Sequence, residues 1–389
     1  MGPLEGVTVI EMAGIGPAPV CGMLFADMGA DVIVVDRATA DGRVDALPDN
    51  ARFAIHNRGK RTIAVDLKQS GGVDAVRRLV GSADALIESY RPGVMERVGL
   101  GPESCHEANP ALVYGRLSGW GQDGPLSAAA GHDINYIAIA GALHASGPAG
   151  LPPSAPPTLV GDIGGGTLFL AVGMLAALLN ARATGQGQVV DAAISDGVAA
   201  MTTLLAGLRA AGRWSGARGA NLLDGGSHWY NVYECADGKY LSVGALEPPF
   251  YATLLERLGL ADDPAFAQQY DPARWPAQRA ALAELFLTRT RDDWCVVFEG
   301  SDACVAPVLD FDEASGHAHN RARKTWVDVD GVLQPAPAPR FSETPAAPVA
   351  APPEPGQHTY EVLREAGFDA DEIAALERQG AIARPSRRS

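Results

Sequence analysis

The sequence has few of the features that mark secreted, membrane-spanning or nucleic-acid-binding proteins. Its 389 residues include only five cysteines, and none of them forms a CxxC pair. Neither a disulfide framework nor a thiolate zinc site is therefore expected. The longest apolar stretch, Leu168 to Leu179, is shorter than the ~20 residues that span a bilayer. Because the first residues also lack the basic region of a signal peptide, we expect a soluble, reduced, cytoplasmic chain.

Positive charge is scarce as well. The chain has 31 Lys and Arg against 46 Asp and Glu, which gives a formal net charge of −15. Such a chain repels nucleic acid and anionic membranes, so an anionic ligand would need a local cationic patch. Residues 51–65 carry Arg52, Arg58, Lys60 and Arg61 and no acidic residue. A solvated surface is one interpretation of this run, but its guanidinium groups also match the geometry of phosphates.

The order of apolar runs and turn residues predicts an α/β fold. Strand and helix patterns alternate over the first 200 residues, beginning with a strand at 7–11 and a helix at 18–28. This alternation predicts a Rossmann-like large domain with a mostly parallel sheet and helices on both faces. A helix predicted at 167–183 is apolar nearly all round, so we expect it to be buried in a core or an interface.

The pattern changes after residue 225, where a hairpin with an Asp237-Gly238 turn precedes two helix patterns. These elements predict a smaller α+β domain. We therefore predict a large α/β domain at 1–200, a linker at 201–224 and a small α+β domain at 225–325. The remaining residues, 326–389, would form a Pro-rich return and C-terminal helices that pack on the large domain.

Three side chains are candidates for catalysis, although none is decisive alone. His132 lies near a predicted helix start, Asp162 precedes three glycines and the long apolar helix, and Glu247 directly follows a predicted strand. In a purely structural interpretation, Asp162 is a helix N-cap and the other two are ordinary polar residues. In a functional interpretation, a carboxylate beside a positive helix end is a base or a nucleophile, and nearby N–H groups stabilise an oxyanion.

A dinucleotide site is a weaker hypothesis. A glycine turn follows the first strand and Asp36 ends the second, as in nicotinamide-binding domains. The third glycine of the GxGxxG pattern is replaced by Pro19, however. A plain β-to-α turn is therefore favoured over nicotinamide binding.

The motifs together resemble those of the class III CoA-transferase superfamily, and more narrowly its 2-methylacyl-CoA racemase branch. The similarity covers nearly the whole chain and includes Arg58-Gly-Lys-Arg61 and Arg91-Pro-Gly-Val-Met-Glu-Arg97. Gly131-His-Asp-Ile-Asn-Tyr136 and Val243-Gly-Ala-Leu-Glu-Pro248 are the segments specific to the racemase branch. The resemblance implies a homodimer of two interlocked subunits.

The resemblance also implies a reaction, the interconversion of R and S 2-methylacyl-CoA thioesters by a 1,1-proton transfer through an enolate. His132 and Asp162 would be the two bases, one on each face of the α-carbon, and Glu247 would hydrogen-bond His132. No cofactor is implied beyond the CoA of the substrate itself. The acyl group stays open among branched fatty acyl, sterol side-chain and arylpropionyl chains.

The same resemblance implies which residues contact the acyl-CoA. The nucleotide would lie near Arg37 and the strand at 64–67, the phosphates and pantetheine along Arg91 and Arg97, and the thioester against 131–136. The expected binding residues are Arg37, Arg58, Ala64, Val65, Asp66, Leu67, Tyr90, Arg91, Arg97, Gly131, Asp133, Ile134, Asn135 and Tyr136.

Two further alternatives remain. In a class III CoA-transferase, Asp162 would attack an acyl-CoA to form an acyl-aspartyl anhydride. Transferases of this family usually have an aromatic residue where His132 lies and a glycine-rich loop where 244–248 lies. A CoA-binding module without activity would account for the basic residues, but not for the combination of His132, Asp162 and Glu247.

Overall fold

A six-stranded parallel sheet forms the centre of the fold. The structure is a computed structural model, and it describes residues 2–38 and 51–383. The sheet has the strand order β3-β2-β1-β4-β5-β6. Its strands are β1 (Thr8–Met12), β2 (Asp31–Arg37), β3 (Arg61–Val65), β4 (Ala85–Glu88), β5 (Val113–Ser118) and β6 (Gln188–Ala193). This is the doubly wound order of a Rossmann-like sheet, so the predicted fold class is confirmed.

Helices connect and cover these strands. Apolar side chains on both faces of the sheet are fully buried, as expected for a parallel sheet; Ile10 and Leu86 lie on one face, and Val9 and Ile87 lie on the other. The helices up to residue 201 are α1 (Pro17–Asp27), α2 (Ser70–Val80), α3 (Val94–Arg97), α4 (Pro102–Ala108), α5 (Asp133–Ile139), α6 (Leu168–Thr184) and α7 (Ile194–Met201). The later helices are α8 (Thr203–Ala210), α9 (Pro248–Leu258), α10 (Trp275–Phe286), α11 (Arg291–Phe298), α12 (Phe311–Gly316), α13 (Ala318–Arg323), α14 (Thr359–Glu365) and α15 (Ala370–Arg378).

The glycine-rich segment before α6 is helical as well. Leu159–Thr167 forms a π-helix that runs directly into α6. It packs closely on α7, since a Cβ atom on Gly165 would lie 2.9 Å from the carbonyl oxygen of Ile194. Thr167 ends this π-helix, and its hydroxyl donates to the carbonyl of Pro17 at 2.7 Å. Asp162 thus lies inside a wide helical turn, a type of turn that is common at functional sites.

One side of α6 is buried in the chain and the other side is exposed, so burial of the exposed side in an interface stays a prediction. Val172 and Leu179 are 67% and 72% exposed, whereas Leu170 and Met174 are buried. Together with the π-helix, α6 forms a 26-residue helical stretch, Leu159–Thr184, that is long and apolar enough to cross a membrane by length and composition alone. Half of its most apolar window is buried in the protein.

The chain divides into two compact units. The first comprises residues 1–140, 157–201 and 323–389, and the second comprises 141–156 and 202–322. Segments 141–156 and 202–224, which the sequence assigned to the large domain and the linker, have most of their contacts within the second unit.

The second unit is built on an antiparallel sheet of three strands, in which the predicted hairpin supplies two. These strands are β7 (Tyr230–Glu234), β8 (Tyr240–Gly244) and β9 (Val305–Pro307). Aromatic side chains fill the core of this unit, with Trp229 and Phe286 fully buried. Residues 194–210 form two helices, α7 and α8, which are separated by a turn at Thr202.

The C-terminal segment returns to the first unit and covers the outer edge of β3. After the hairpin β10 (Trp326–Val329) and β11 (Val332–Pro335), the Pro-rich stretch has neither helix nor strand until α14. The Thr62 hydroxyl donates to the carbonyl of Glu354, and the N–H of Ala383 donates to the carbonyl of Ala64. An edge strand that would otherwise be open is thereby paired.

A buried ion pair connects β1 to the chain just before β3. The Lys60 ammonium donates to both Glu11 carboxylate oxygens at 2.8 and 2.9 Å and to the carbonyl of Pro19 at 2.8 Å. Burial raises the pKa of Glu11 and lowers that of Lys60, and the attraction between the two opposes both shifts. Gly22 leaves room for this pair, because a Cβ atom there would lie 1.7 Å from Glu11 Oε2.

We expect Lys60→Met to lower the free energy of unfolding by about 3–5 kcal/mol, because it leaves a buried carboxylate without its partner. Urea unfolding measures this loss. The double variant with Glu11→Gln should recover part of it. The control, Arg274→Met, removes an exposed pair with Asp271 and should cost less than about 1 kcal/mol. A loss for Lys60→Met no larger than that of the control would contradict a stabilising role for the pair.

Candidate functional site

The loop between β5 and α5 places His132 at the start of α5. The Tyr136 ring packs edge-to-face on Trp120 with 4.7 Å between ring centroids, and its hydroxyl donates to the carbonyl of Gly131. A Cβ atom at Gly119 or Gly131 would lie 2.1 or 2.7 Å from the Tyr136 ring, so both positions need glycine. His132 itself is exposed.

Asn135 holds the backbone of His132. Its side-chain oxygen accepts the N–H of His132 at 3.1 Å, and its own N–H donates to the carbonyl of His132 at 2.8 Å. This reciprocal pair fixes the backbone from which the imidazole projects. Asn135 therefore has a role in positioning His132 that the sequence did not reveal.

Asp162 lies half-buried in the first turn of the π-helix. Its N–H donates to Asp133 Oδ1 at 2.8 Å, and the next N–H, that of Ile163, donates to the carbonyl of Thr158. The N-cap interpretation of Asp162 is therefore wrong, because Thr158 precedes the helix. These two N–H groups are also already bonded, so they do not form the oxyanion site expected at this helix end.

The charges around Asp162 show which side chains the fold brings together. Burial raises the pKa of Asp162, the Asp133 carboxylate raises it further, and the imidazolium of His132 lowers it. The pKa of Tyr136 is raised by burial and by Asp162 and lowered by Arg91. The two predicted bases are thus close enough for the charge of one to affect the pKa of the other. The exposed Arg91 is close enough to affect the pKa of Tyr136 beside them.

Arg116 anchors the segment after β4, which carries Tyr90, Arg91 and Arg97. The Arg116 guanidinium donates to Glu88 and to Glu96, both at 2.8 Å, so that it joins the two ends of the loop. The Tyr90 N–H donates to Glu88 at 2.7 Å and its hydroxyl donates to the carbonyl of Ala13 at 2.8 Å. Burial raises the pKa of Tyr90 to about 12. Arg116 was not among the residues expected at the site, although an arginine within a buried strand is unusual enough to have indicated it.

The structure corrects the expectation for Arg58. This residue is only 3% exposed, and its guanidinium donates to both carboxylate oxygens of Asp27 at 3.1 and 2.6 Å. It also donates to the side-chain oxygen of Gln334 and to the carbonyl of Pro335. Arg58 therefore links α1 to β11 and has no donor directed at a ligand.

The remaining cations of residues 51–65 are also bonded within the chain. Lys60 is buried on Glu11, Arg61 pairs with Asp31 and Glu365, and Arg52 donates to the carbonyl of Asp330. The predicted cationic patch is thus largely neutralised by protein groups. Arg91 and Arg97 are exposed and stay the predicted phosphate contacts, as does Arg37 at the end of β2.

The segment at 64–67 is mostly occupied by the protein itself. Ala64 and Val65 are buried in β3, and the N–H of Ala64 donates to the Thr359 hydroxyl at 3.0 Å. The N–H of Asp66 donates to the carbonyl of Ala381, and its carboxylate accepts the N–H of Lys68. Leu67 is half-buried and packs on the hydrophobic core, and its contact with a nucleotide stays a prediction.

Asp36 is the one acid at this end of β2. Burial raises its pKa to about 7, and its Oδ2 atom has no hydrogen-bond partner among the described residues. Within residues 2–38 and 51–383, no cluster of three His, Cys, Asp or Glu side chains has the geometry of a metal site.

Glu247 lies in the second unit, immediately before α9, and is exposed. Its bond to His132 stays a prediction. Ile134 is exposed beside His132, as a contact for an acyl-CoA requires, whereas Asp133 is buried.

The chain is similar to known proteins over nearly its whole length. The model of CoA-transferase family III matches residues 4–359. Alpha-methylacyl-CoA racemase of Mus musculus is 45% identical, and that of Homo sapiens is 42% identical, each over 96% of this chain and 96% of the relative. The crystal structure of a CAIB/BAIF family protein from Brucella suis has a TM-score of 0.79 at 26% identity and covers 94% of this chain and 99% of that one.

We expect Arg58→Met to lower the free energy of unfolding by about 3–5 kcal/mol, because Asp27 would stay buried without its partner. Urea unfolding measures the loss, and CoA binding to the folded variant should be unchanged. Arg91→Gln is the matched control and should weaken CoA binding without a loss of stability. An Arg58→Met variant of normal stability that no longer binds CoA would restore the sequence-based assignment.

Proposed function

This chain belongs to CoA-transferase family III, and from that membership we propose that it is an alpha-methylacyl-CoA racemase, which interconverts R and S 2-methylacyl-CoA thioesters. Two relatives with that name, at 45% and 42% identity over nearly the full length, support the activity. The observation that carries the proposal is the electrostatic pairing of His132 with Asp162 beside α5. An imidazole and a carboxylate are both able to accept and return a proton, as a two-base racemisation requires.

In the proposed reaction, one base removes the α-proton and the C–H electrons form the enolate of the thioester. The conjugate acid of the other base then protonates the same carbon from the opposite face. His132 and Asp162 exchange these roles for the other enantiomer. Burial and the Asp133 carboxylate raise the pKa of Asp162, which makes its carboxylate a stronger base than an exposed aspartate.

The binding of the substrate follows from the same placement. Arg91 and Arg97 are exposed on a loop that Arg116 anchors, and they suit the phosphates of CoA. The loop before α5 and Ile134 would line the thioester end. Glu247 would hydrogen-bond the His132 ring, and CoA would be part of the substrate, with no separate cofactor.

A class III CoA-transferase that uses Asp162 as nucleophile is the alternative. Anhydride formation needs the carboxylate of Asp162 but gives no role to the imidazole next to it. The presence of His132 at this position favours proton transfer.

The discriminating experiment incubates one enantiomer of a 2-methylacyl-CoA with the protein in D₂O. We expect deuterium at C2 and loss of configuration without any acceptor acid, followed by NMR and chiral analysis. His132→Ala and Asp162→Ala should each slow the exchange by ~100-fold or more while CoA binding survives. Acyl transfer to an added carboxylate, without exchange at C2, would identify a transferase instead.

We also propose that the chain is a homodimer and acts in the cytoplasm. The exposed apolar side chains of α6, including Val172 and Leu179, form a face of the kind that usually marks a protein interface. The family resemblance implies that the partner is a second copy interlocked with the first. All five cysteines are free thiols, as in a reducing compartment.

The double variant Val172→Glu, Leu179→Glu should shift the protein from dimer to monomer in sedimentation equilibrium, because it places two carboxylates in the proposed interface. Gln69→Glu adds a carboxylate at another exposed position and should leave the dimer intact. A double variant with an unchanged molecular mass would show that this face does not join two copies.

A further inference from the structure

Asp133 connects the two proposed bases. It follows His132 directly in sequence, and its Oδ1 accepts the backbone N–H of Asp162 at 2.8 Å. The Asp133 residue is only 9% exposed. Burial of a carboxylate costs free energy unless the carboxylate is hydrogen-bonded. The bond to the Asp162 N–H supplies such a partner inside the protein.

The sequence permits this contact through Gly161. A Cβ atom at position 161 would lie 2.4 Å from Asp133 Oδ1 and 3.1 Å from the Cγ2 atom of Ile137. Any larger residue would have to push the carboxylate away from the π-helix. Gly161 and Asp133 thus form one unit that sets the distance between α5 and the turn carrying Asp162.

The first turn of α5 consequently holds the backbone of both bases. Asn135 bonds the backbone of His132, and Asp133 bonds the backbone of Asp162. A displacement of this turn would move both proton-transfer groups together. Proton transfer requires each base to lie close to the α-carbon in the correct orientation, and a small displacement lowers the rate. A change in this turn would therefore affect the rate through both bases at once.

Several charged or titratable groups surround Asp162. From α5 they are His132, Asp133 and Tyr136, and the charge of Arg91 reaches Tyr136 from the neighbouring loop. Of these, Asp133 is the one negative charge that acts on Asp162 and the one that also bonds its backbone. Asp133 therefore combines a geometric and an electrostatic effect on the same residue.

We propose that Asp133 is a positioning residue, whose carboxylate anchors the backbone of Asp162, sets the charge beside it and does not itself contact the acyl-CoA. This inference rests on the proposed function, in which Asp162 is one of two bases. It replaces the expectation that Asp133 binds substrate, because the carboxylate is buried and already accepts a hydrogen bond.

Two substitutions separate the two effects. Asp133→Asn keeps an oxygen that accepts the N–H of Asp162 but removes the negative charge. Without that charge Asp162 loses its proton more readily, so its pKa falls. The acidic limb of the pH profile of kcat/KM should then move to lower pH by about 0.5–2 units. KM for a 2-methylacyl-CoA should stay within about twofold of the wild-type value, because no substrate contact is lost.

Gly161→Ala keeps every charge but displaces the carboxylate. We expect kcat to fall by about 10–100-fold at all pH values, with little change in KM and with the limbs of the pH profile nearly in place. Gly207→Ala is the matched control, since a Cβ atom there meets nothing within 4 Å, and it should behave as wild type. Asp74→Asn, at an exposed position on α2, controls for the loss of one carboxylate.

A second measurement does not depend on activity. In protein labelled with ¹³C at aspartate carboxyl carbons, the Asp162 signal is assigned as the one missing from Asp162→Asn, and its titration is compared between wild type and Asp133→Asn. We expect a lower midpoint in Asp133→Asn and an unchanged midpoint in Asp74→Asn. If the wild-type protein exchanges no deuterium at C2 in D₂O, the proposed racemase activity is refuted. The titration of Asp162 would still test whether Asp133 acts on Asp162.

Two outcomes would overturn the proposal. One is an Asp162 titration that Asp133→Asn leaves unchanged. The other is a rise in KM with unchanged kcat and pH profile, which would make Asp133 a substrate contact. Should Asp133→Asn fail to fold, as thermal unfolding would reveal, Gly161→Ala with its control still tests the anchor.

Discussion

The contact between Lys60 and Glu11 is the constraint on which the arrangement of the first unit depends. Two charges are tolerated in this interior only because the ammonium is bonded to the carboxylate at the end of β1 and to the carbonyl of Pro19 in α1. The start of α1 is thereby fixed against the sheet. Thr167 bonds the carbonyl of Pro17 in the same turn, so the end of the π-helix that carries Asp162 is fixed as well. A contact outside the proposed site thus helps to fix the position of the carboxylate that we propose as a base.

Most of the fold follows from local sequence patterns. The strand predicted at 7–11 is observed at Thr8–Met12, and the helix predicted at 167–183 is observed at Leu168–Thr184. These elements were predictable because burial on a parallel sheet produces long apolar runs, and Gly and Pro mark their ends. The hairpin around Asp237-Gly238 was equally clear, since its turn chemistry is local.

The partners of charged residues could not be predicted in the same way. Arg58 and Lys60 are close in sequence and resemble a phosphate site, but Asp27 and Glu11 are 31 and 49 positions away, and Gln334 is 276 away from Arg58. A sequence pattern does not contain such long-range pairings. The bond between Asp133 and Asp162, 29 positions apart, was hidden for the same reason, and so was the π-helix, because a glycine-rich segment resembles a loop.

The return of the C-terminal segment to β3 has a consequence for biosynthesis. The outer edge of β3 is paired with residues 354–383, which are translated after the whole second unit. While the ribosome makes that second unit, the nascent first unit has an open strand edge of the kind that pairs with other chains. The first unit therefore completes its sheet only at the end of translation, and a prematurely terminated chain would carry the open edge permanently.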